Sequence, residues 1–182
     1  MRLLMLAVDG FEDTELVATL DVISRGKDEV TLVSLMDRLI VNPKYLPGVM
    51  ANLLLEDINL DDYDGLVIPG GPGSFKIMPT IDEVTEYIHY FAKKQKLVAS
   101  ICAAPHLVGK LGYLKDRDFT VHPGFEDQVI GGHYHREKGV VVSDNFITAK
   151  SMYYSIEFGL AIHEYFHGKT SRDALEKSLQ GE

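Results

Sequence analysis

The stretch LVASICAAP, residues 97–105, decides the fold. Leu97 to Ile101 is an apolar run of strand length, and a parallel strand covered on both faces reads that way. The small residues Ala103 and Ala104, then Pro105, mark a sharp turn into a helix. Cys102, the only cysteine, falls at that junction. A side chain so placed points into the crevice beyond the carboxyl end of the sheet, with the amides of the next helix beneath it. A helix N-terminus carries roughly half a positive charge, and such surroundings bring a thiol pKa from about 8.5 into the range ~3.5 to 7.5. The expectation is a reactive thiolate.

Working outward, short aliphatic runs alternate with segments of helical period. Leu3 to Val8 reads as a strand. Thr14 to Ser24 reads as a helix with Leu16, Val17, Leu20 and Ile23 on one face and Gly26 as its stop. Val30 to Leu35 and Gly65 to Ile68 are further strands, and Ile81 to Lys94 is an amphipathic helix. This rhythm predicts a doubly wound α/β domain, a mostly parallel sheet with helices on both faces. Pro43, Pro47 and Gly48 loosen the pattern between Arg38 and Asp57, where loops and an edge hairpin are expected. Ser143, Asp144 and Asn145 signal a second hairpin between Val140–Val142 and Phe146–Thr148. Ser155 to His167 is a late helix, and the tail restarts as helix after Ser171 as N-cap. No linker, repeat or low-complexity tract interrupts residues 1–182, so one domain is expected.

Three loops then gather at the carboxyl ends of the strands. In the first, Glu12 and Asp13 are ordinary partners of a helix dipole, whereas Glu15 lies one turn deeper. A sheet crevice would desolvate Glu15, raise its pKa and make it a proton shuttle. The second loop, Pro69 to Ser74, carries Gly70 and Gly71, whose amides suit an oxyanion hole. The third holds Cys102 and Ala103, with His122 arriving beside it from Thr120–Pro123. His122 orients or protonates a reacting oxygen, pairs with the thiolate, or caps a strand end as a structural residue.

Composition narrows the classes. One cysteine excludes an internal disulfide and fits a reducing compartment. The run after Met1 and Arg2 is too short for a signal segment, and no stretch approaches the roughly 20 apolar residues of a membrane span. A cytoplasmic protein is expected. A net charge of −9, with 18 Lys and Arg scattered along the chain, disfavours nucleic acid as a partner.

VIPGGPG at 67–73, SICAAP at 100–105, VHP at 121–123 and GGHY at 131–134 together resemble the ThiJ/PfpI superfamily. The resemblance runs from Leu3 to about Gly168, within the class I glutamine amidotransferase-like group. It is strongest for the branch of the parkinsonism-associated protein deglycase and its bacterial relatives. It implies a flavodoxin-like sandwich, usually a homodimer, with a nucleophile elbow at Cys102. By position Glu15 corresponds to the family's acid beside the thiol, His122 to its nearby histidine, and Gly71 with Cys102 and Ala103 to the amides facing the substrate oxygen. Asp21 and Arg25 correspond to dimer-interface positions.

The protease-like branch has histidine where this chain has Ala103, so its triad is not available here. The segment around Lys44 lacks a clear counterpart of an anion-binding arginine, and Ser151 and Met152 replace a glycine-proline pair. Two function classes follow. One is a cofactor-independent enzyme on small reactive carbonyls, in which Cys102 adds to a 2-oxoaldehyde such as methylglyoxal and Glu15 moves a proton on the way to lactate. The other is a redox sensor or chaperone-like stress protein in which Cys102 is oxidised.

His163, Glu164 and His167 spell H-E-x-x-H, the spacing of a zinc-binding helix. The same stretch has the period of a packing helix, with mainly Glu176 left as a further ligand. His133 and His135 form a second weak pair. The expectation is that all are surface histidines and that the protein holds no metal.

Overall fold

A computed structural model describes residues 1–182. Seven strands form one sheet: β1 (Arg2–Ala7), β2 (Glu29–Ser34), β5 (Leu53–Leu54), β6 (Gly65–Ile68), β7 (Leu97–Ile101), β10 (Val140–Ser143) and β11 (Phe146–Ala149). Their order is β10-β11-β7-β6-β1-β2-β5, with only β10 antiparallel. The hairpin expected after Val140 is present, and β11 goes further by joining the main sheet alongside β7. Two small sheets lie outside it, β3 (Ile40–Val41) with β4 (Val49–Met50), and β8 (Asp118–Phe119) with β9 (His133–Tyr134).

The period-two alternation of β1 sorts the core. Leu3, Met5 and Ala7 face Leu16 and Ile23 of α1 (Asp13–Arg25) and Phe158 and Ile162 of α5 (Ser155–Gln180). Leu4, Leu6 and Val8 face Ile88 and Phe91 of α3 (Asp82–Lys93) and Val108 of α4 (Pro105–Lys110), and the short α2 (Pro72–Lys76) follows β6. Both faces are therefore covered, as a parallel sheet requires. The chain winds outward from β1 through β2, then returns to β6 on the other side and moves on to β7. The crevice at the carboxyl ends of β1 and β6 is thus the point where winding reverses, the usual place for a ligand in such sheets. Ile68 pairs with Ser100, which sets Gly70 beside Cys102.

α5 departs from the expected tail. Helix continues past His167 but breaks at Gly168 (φ 78°, ψ 167°), so residues 169–180 restart at once and fold back. Ser171 is not an N-cap; its hydroxyl is taken by His163 instead. Leu175 then packs with Val22 and Leu160.

Candidate active site

Cys102 adopts φ +64°, a left-handed conformation that costs a non-glycine residue about 1–2 kcal/mol. Two backbone bonds hold it there: its N–H donates to Ala149 O at 2.8 Å, and its carbonyl accepts from His122 N–H at 2.8 Å. This is the strained turn expected of a nucleophile elbow. The thiol sits in a cleft of about 500 Å³ lined by residues of every loop named from the sequence. Glu12 and Glu15, Gly71, Ala103 and His122 all reach it.

Glu15 is 1 % exposed. Its Oε2 accepts from Gly70 N–H at 2.9 Å, while Oε1 is buried without a well-aligned partner. Burial, more than any other influence, pushes the carboxyl up to about 7, against the opposing pull of the Cys102 thiol and the Gly70 amide. Glycine at 70 is needed for this contact, because a Cβ there would stand 2.5 Å from Glu15 Oε2 and 2.6 Å from Cys102 Cβ. Gly71 adopts φ +91°, and a Cβ on it would strike Glu12 N at 2.3 Å.

The thiol itself behaves differently from the expectation. Burial first, then the charge of Glu15, push it above its ordinary range, and the amides of Gly71 and Ala103 pull it down less strongly. The helix that follows, α4, has six residues, so its dipole is weak, and a like charge lies next to the sulfur. Gly70 also differs from its expected role. Its amide is spent on Glu15, leaving Gly71 and Ala103 as the amides directed at the sulfur.

His122 is exposed at the rim, with Nδ1 3.0 Å from Pro123 O. A carbonyl oxygen only accepts, so Nδ1 donates this bond and Nε2 is the ring nitrogen left free. Asp21 and Arg25 do not join the site; they pair with each other at 2.8 Å on the exposed side of α1.

Sequence reasoning missed the walls. Tyr45, Phe75 and Phe125 supply the apolar lining, and Lys44 supplies a cation at the mouth. Asp13, read as a dipole partner, is buried and accepts from Tyr45 N–H at 3.2 Å and Leu46 N–H at 2.7 Å. It therefore pins the loop carrying Lys44. Glu12 does cap α1 as expected, accepting from Thr14 N–H at 2.9 Å, and lines the cleft as well. The signal for Asp13 was an acid in a first helical turn, which is common enough to hide a long-range role.

Of the H-E-x-x-H histidines, His167 is exposed as expected and His163 is not. His163 is 4 % exposed, and both rings meet the buried Asp28 of the turn before β2. Glu176, the ligand the sequence offered, pairs with Arg172 instead. His133 does lie at the surface, whereas His135 is half-buried between Asp118 and Glu137 at 2.8 and 3.1 Å. No helix is long and apolar enough to cross a membrane.

Comparison with known proteins places this geometry. The DJ-1/PfpI family model matches residues 1–165. Protein DJ-1 homolog B of Arabidopsis thaliana is 32 % identical over 98 % of this chain, which spans only 40 % of that longer protein. A deglycase of Pyrococcus abyssi is 32 % identical, covering 82 % of this chain and 90 % of its own. A glutathione-independent glyoxalase of Caenorhabditis elegans is 29 % identical, covering 97 % and 94 %. Among solved structures, Drosophila melanogaster DJ-1beta superposes with a TM-score of 0.90 at 27 % identity, covering 98 % of this chain and 97 % of its own.

Proposed function

The chain belongs to the DJ-1/PfpI family, and from that premise we propose that residues 1–182 act as one domain that converts small reactive carbonyls, with Cys102 as nucleophile. Relatives named as deglycases and as a glyoxalase support the reaction class. The observation that carries the reading is the buried Glu15 carboxyl, poised near neutrality against a thiol in a strained turn.

With methylglyoxal the steps balance as follows. The Cys102 sulfur bonds to the aldehyde carbon of methylglyoxal as its proton passes through Glu15 to the aldehyde oxygen, giving the hydroxyl of a hemithioacetal and leaving Glu15 ionised. Glu15 then removes the hydrogen from that carbon and returns a proton to the neighbouring carbon, while the hydroxyl proton passes to the neighbouring oxygen, giving the thioester of lactate. The amides of Gly71 and Ala103 stabilise the enediolate oxygen between these steps, and His122 Nε2 relays the hydroxyl proton from one oxygen to the other. Water cleaves the thioester, releasing lactate and restoring the thiol. The reaction consumes only water and requires no cofactor.

Lys44 at the mouth favours carbonyls bearing an anionic group, and the ring lining from Tyr45, Phe75 and Phe125 limits bulk. A dimer would use Asp21 and Arg25, the positions the family resemblance implies, together with the exposed apolar residues Val17 and Ile156. Lactate release from methylglyoxal by purified protein, abolished in Cys102→Ser, is the expected result. No lactate above the Cys102→Ser background would refute the enzyme.

A second reading rests on the same sulfur, which is half-buried yet opens to the cleft. Peroxide would oxidise Cys102 to a sulfinate accepting a hydrogen bond from protonated Glu15, and mass spectrometry after peroxide treatment would detect two added oxygens.

A further inference from the structure

On the face of the sheet covered by α1 and α5, Asp28, His163 and His167 place one carboxylate oxygen and two imidazole nitrogens within 4.8 Å of one another. We propose that these three residues form a structural site for one zinc ion, separate from the cleft. His167 Nε2 lies 2.9 Å from both carboxylate oxygens, and His163 Nδ1 lies 3.6 Å from Oδ2. Ligands about 2.0 to 2.2 Å from a tetrahedral zinc stand roughly 3.4 Å apart, so both histidine–carboxylate separations lie within roughly half an ångström of those in a zinc site. The terminal amine of Met1 holds Oδ1 at 2.7 Å, leaving Oδ2 toward both rings.

The buried ring of His163 points independently to a cation. Its Nε2 is engaged by Ser171 Oγ at 2.8 Å, while Nδ1 is buried without a hydrogen-bond partner and faces a carboxylate. An imidazole that donates through one nitrogen presents a lone pair at the other, the arrangement by which an outer partner orients a metal-binding histidine. Two features of the chain maintain it. Gly26 has an ordinary φ of −69°, yet a Cβ there would stand 2.5 Å from His163 Nδ1, so the glycine makes room for the ring. The break at Gly168 brings Ser171, eight residues on, back to His163.

Two imidazoles and a carboxylate are a donor set that suits zinc. A water completes the tetrahedron from the side of His167, whose side chain is 32 % exposed and provides the entry path. Glu164, the general base in hydrolytic helices of this motif, lies 3.7 Å from Arg172. The ion would therefore tie the chain's last helix to the turn before β2 and leave chemistry to the cleft.

The test uses the full chain carrying Cys102→Ser, so that the cleft thiol cannot bind metal. After chelator treatment, zinc chloride loading and desalting, elemental analysis should give one zinc per chain, with a raised thermal midpoint. Cobalt chloride should give tetrahedral d–d absorption without a thiolate charge-transfer band. His167→Gln, checked for native fold by circular dichroism, should lose the zinc. Ser171→Ala should weaken zinc binding about 10- to 100-fold, and Ser171→Thr should restore it. Absence of zinc from the Cys102→Ser protein, full zinc retention in folded His167→Gln, or unchanged affinity in Ser171→Ala would each overturn the proposal.

Discussion

Gly70 donates its amide to Glu15 across 55 positions of sequence, at 2.9 Å, and the absence of a side chain on Gly70 is what lets Glu15 reach Cys102. Gly70→Ala should therefore cost both chemistry and stability, since the methyl would also stand 2.9 Å from Ile101 O. The added methyl displaces the carboxylate from the thiol, and turnover of methylglyoxal should fall by ~10²- to 10⁴-fold, the usual range for a lost acid-base group. Steady-state kinetics would check this beside Glu15→Gln, which should fall in the same range; wild-type turnover in Gly70→Ala would refute it.

Glu15 ties activity to pH. With the thiol raised above its ordinary range, the first proton to leave the pair leaves near 7, and only the singly protonated pair can supply an attacking sulfur. kcat/KM should rise as pH passes through about 7 and then flatten. The same limb should be missing from the residual activity of Glu15→Gln.

The same shift has a cost for folding. A carboxyl raised from 4.5 to about 7 binds its proton more tightly in the folded state, so its contribution is fully present below 4.5 and lost as pH rises through about 7. Above that, the folded chain carries a penalty of about 3 kcal/mol. Denaturant melts should find Glu15→Gln more stable than wild type at pH values above 7, with the difference vanishing below 4.5.

Cys102 gives a prediction that runs against ordinary helix and strand propensity. At φ +64°, glycine is unstrained and alanine is not. Cys102→Gly should exceed Cys102→Ala in stability by about 1 kcal/mol, both being inactive. Equal melting of the two variants would show that the turn stores no strain.

Asp13 separates binding from chemistry. Asp13→Ala leaves the amides of Tyr45 and Leu46 without their acceptor, so the loop presenting Lys44 should loosen. KM should rise with kcat nearly unchanged, and stability should drop by about 1–3 kcal/mol.

Much of this site is legible in the chain because parallel strands leave strong local marks. The run ending at Cys102, the glycines after Ile68 and the deep acid Glu15 each announce a loop at the same end of a sheet. Partners set by distant backbone leave no such mark. Asp13 looks like any acid in a first helical turn, and only the course of residues 43–46 gives its oxygens their donors. Gly70 reads as one more flexible turn residue, while its use is to admit a carboxylate. His163 and Asp28 lie 135 positions apart, and the break that lets Ser171 reach His163 depends on a single glycine within a helical pattern.

The segment beyond Gly168 is held chiefly by a satellite cluster, Leu175 with Val22 and Leu160 and Leu179 alongside, apart from the two large cores that flank the sheet. Cooperative units with so little buried contact open independently of the rest of a protein. Residues 169–180 should thus behave as a small foldon, with amides that exchange with solvent before those of β1, β6 and β7. The candidate cleft draws no residue from that segment and should stay assembled while it opens.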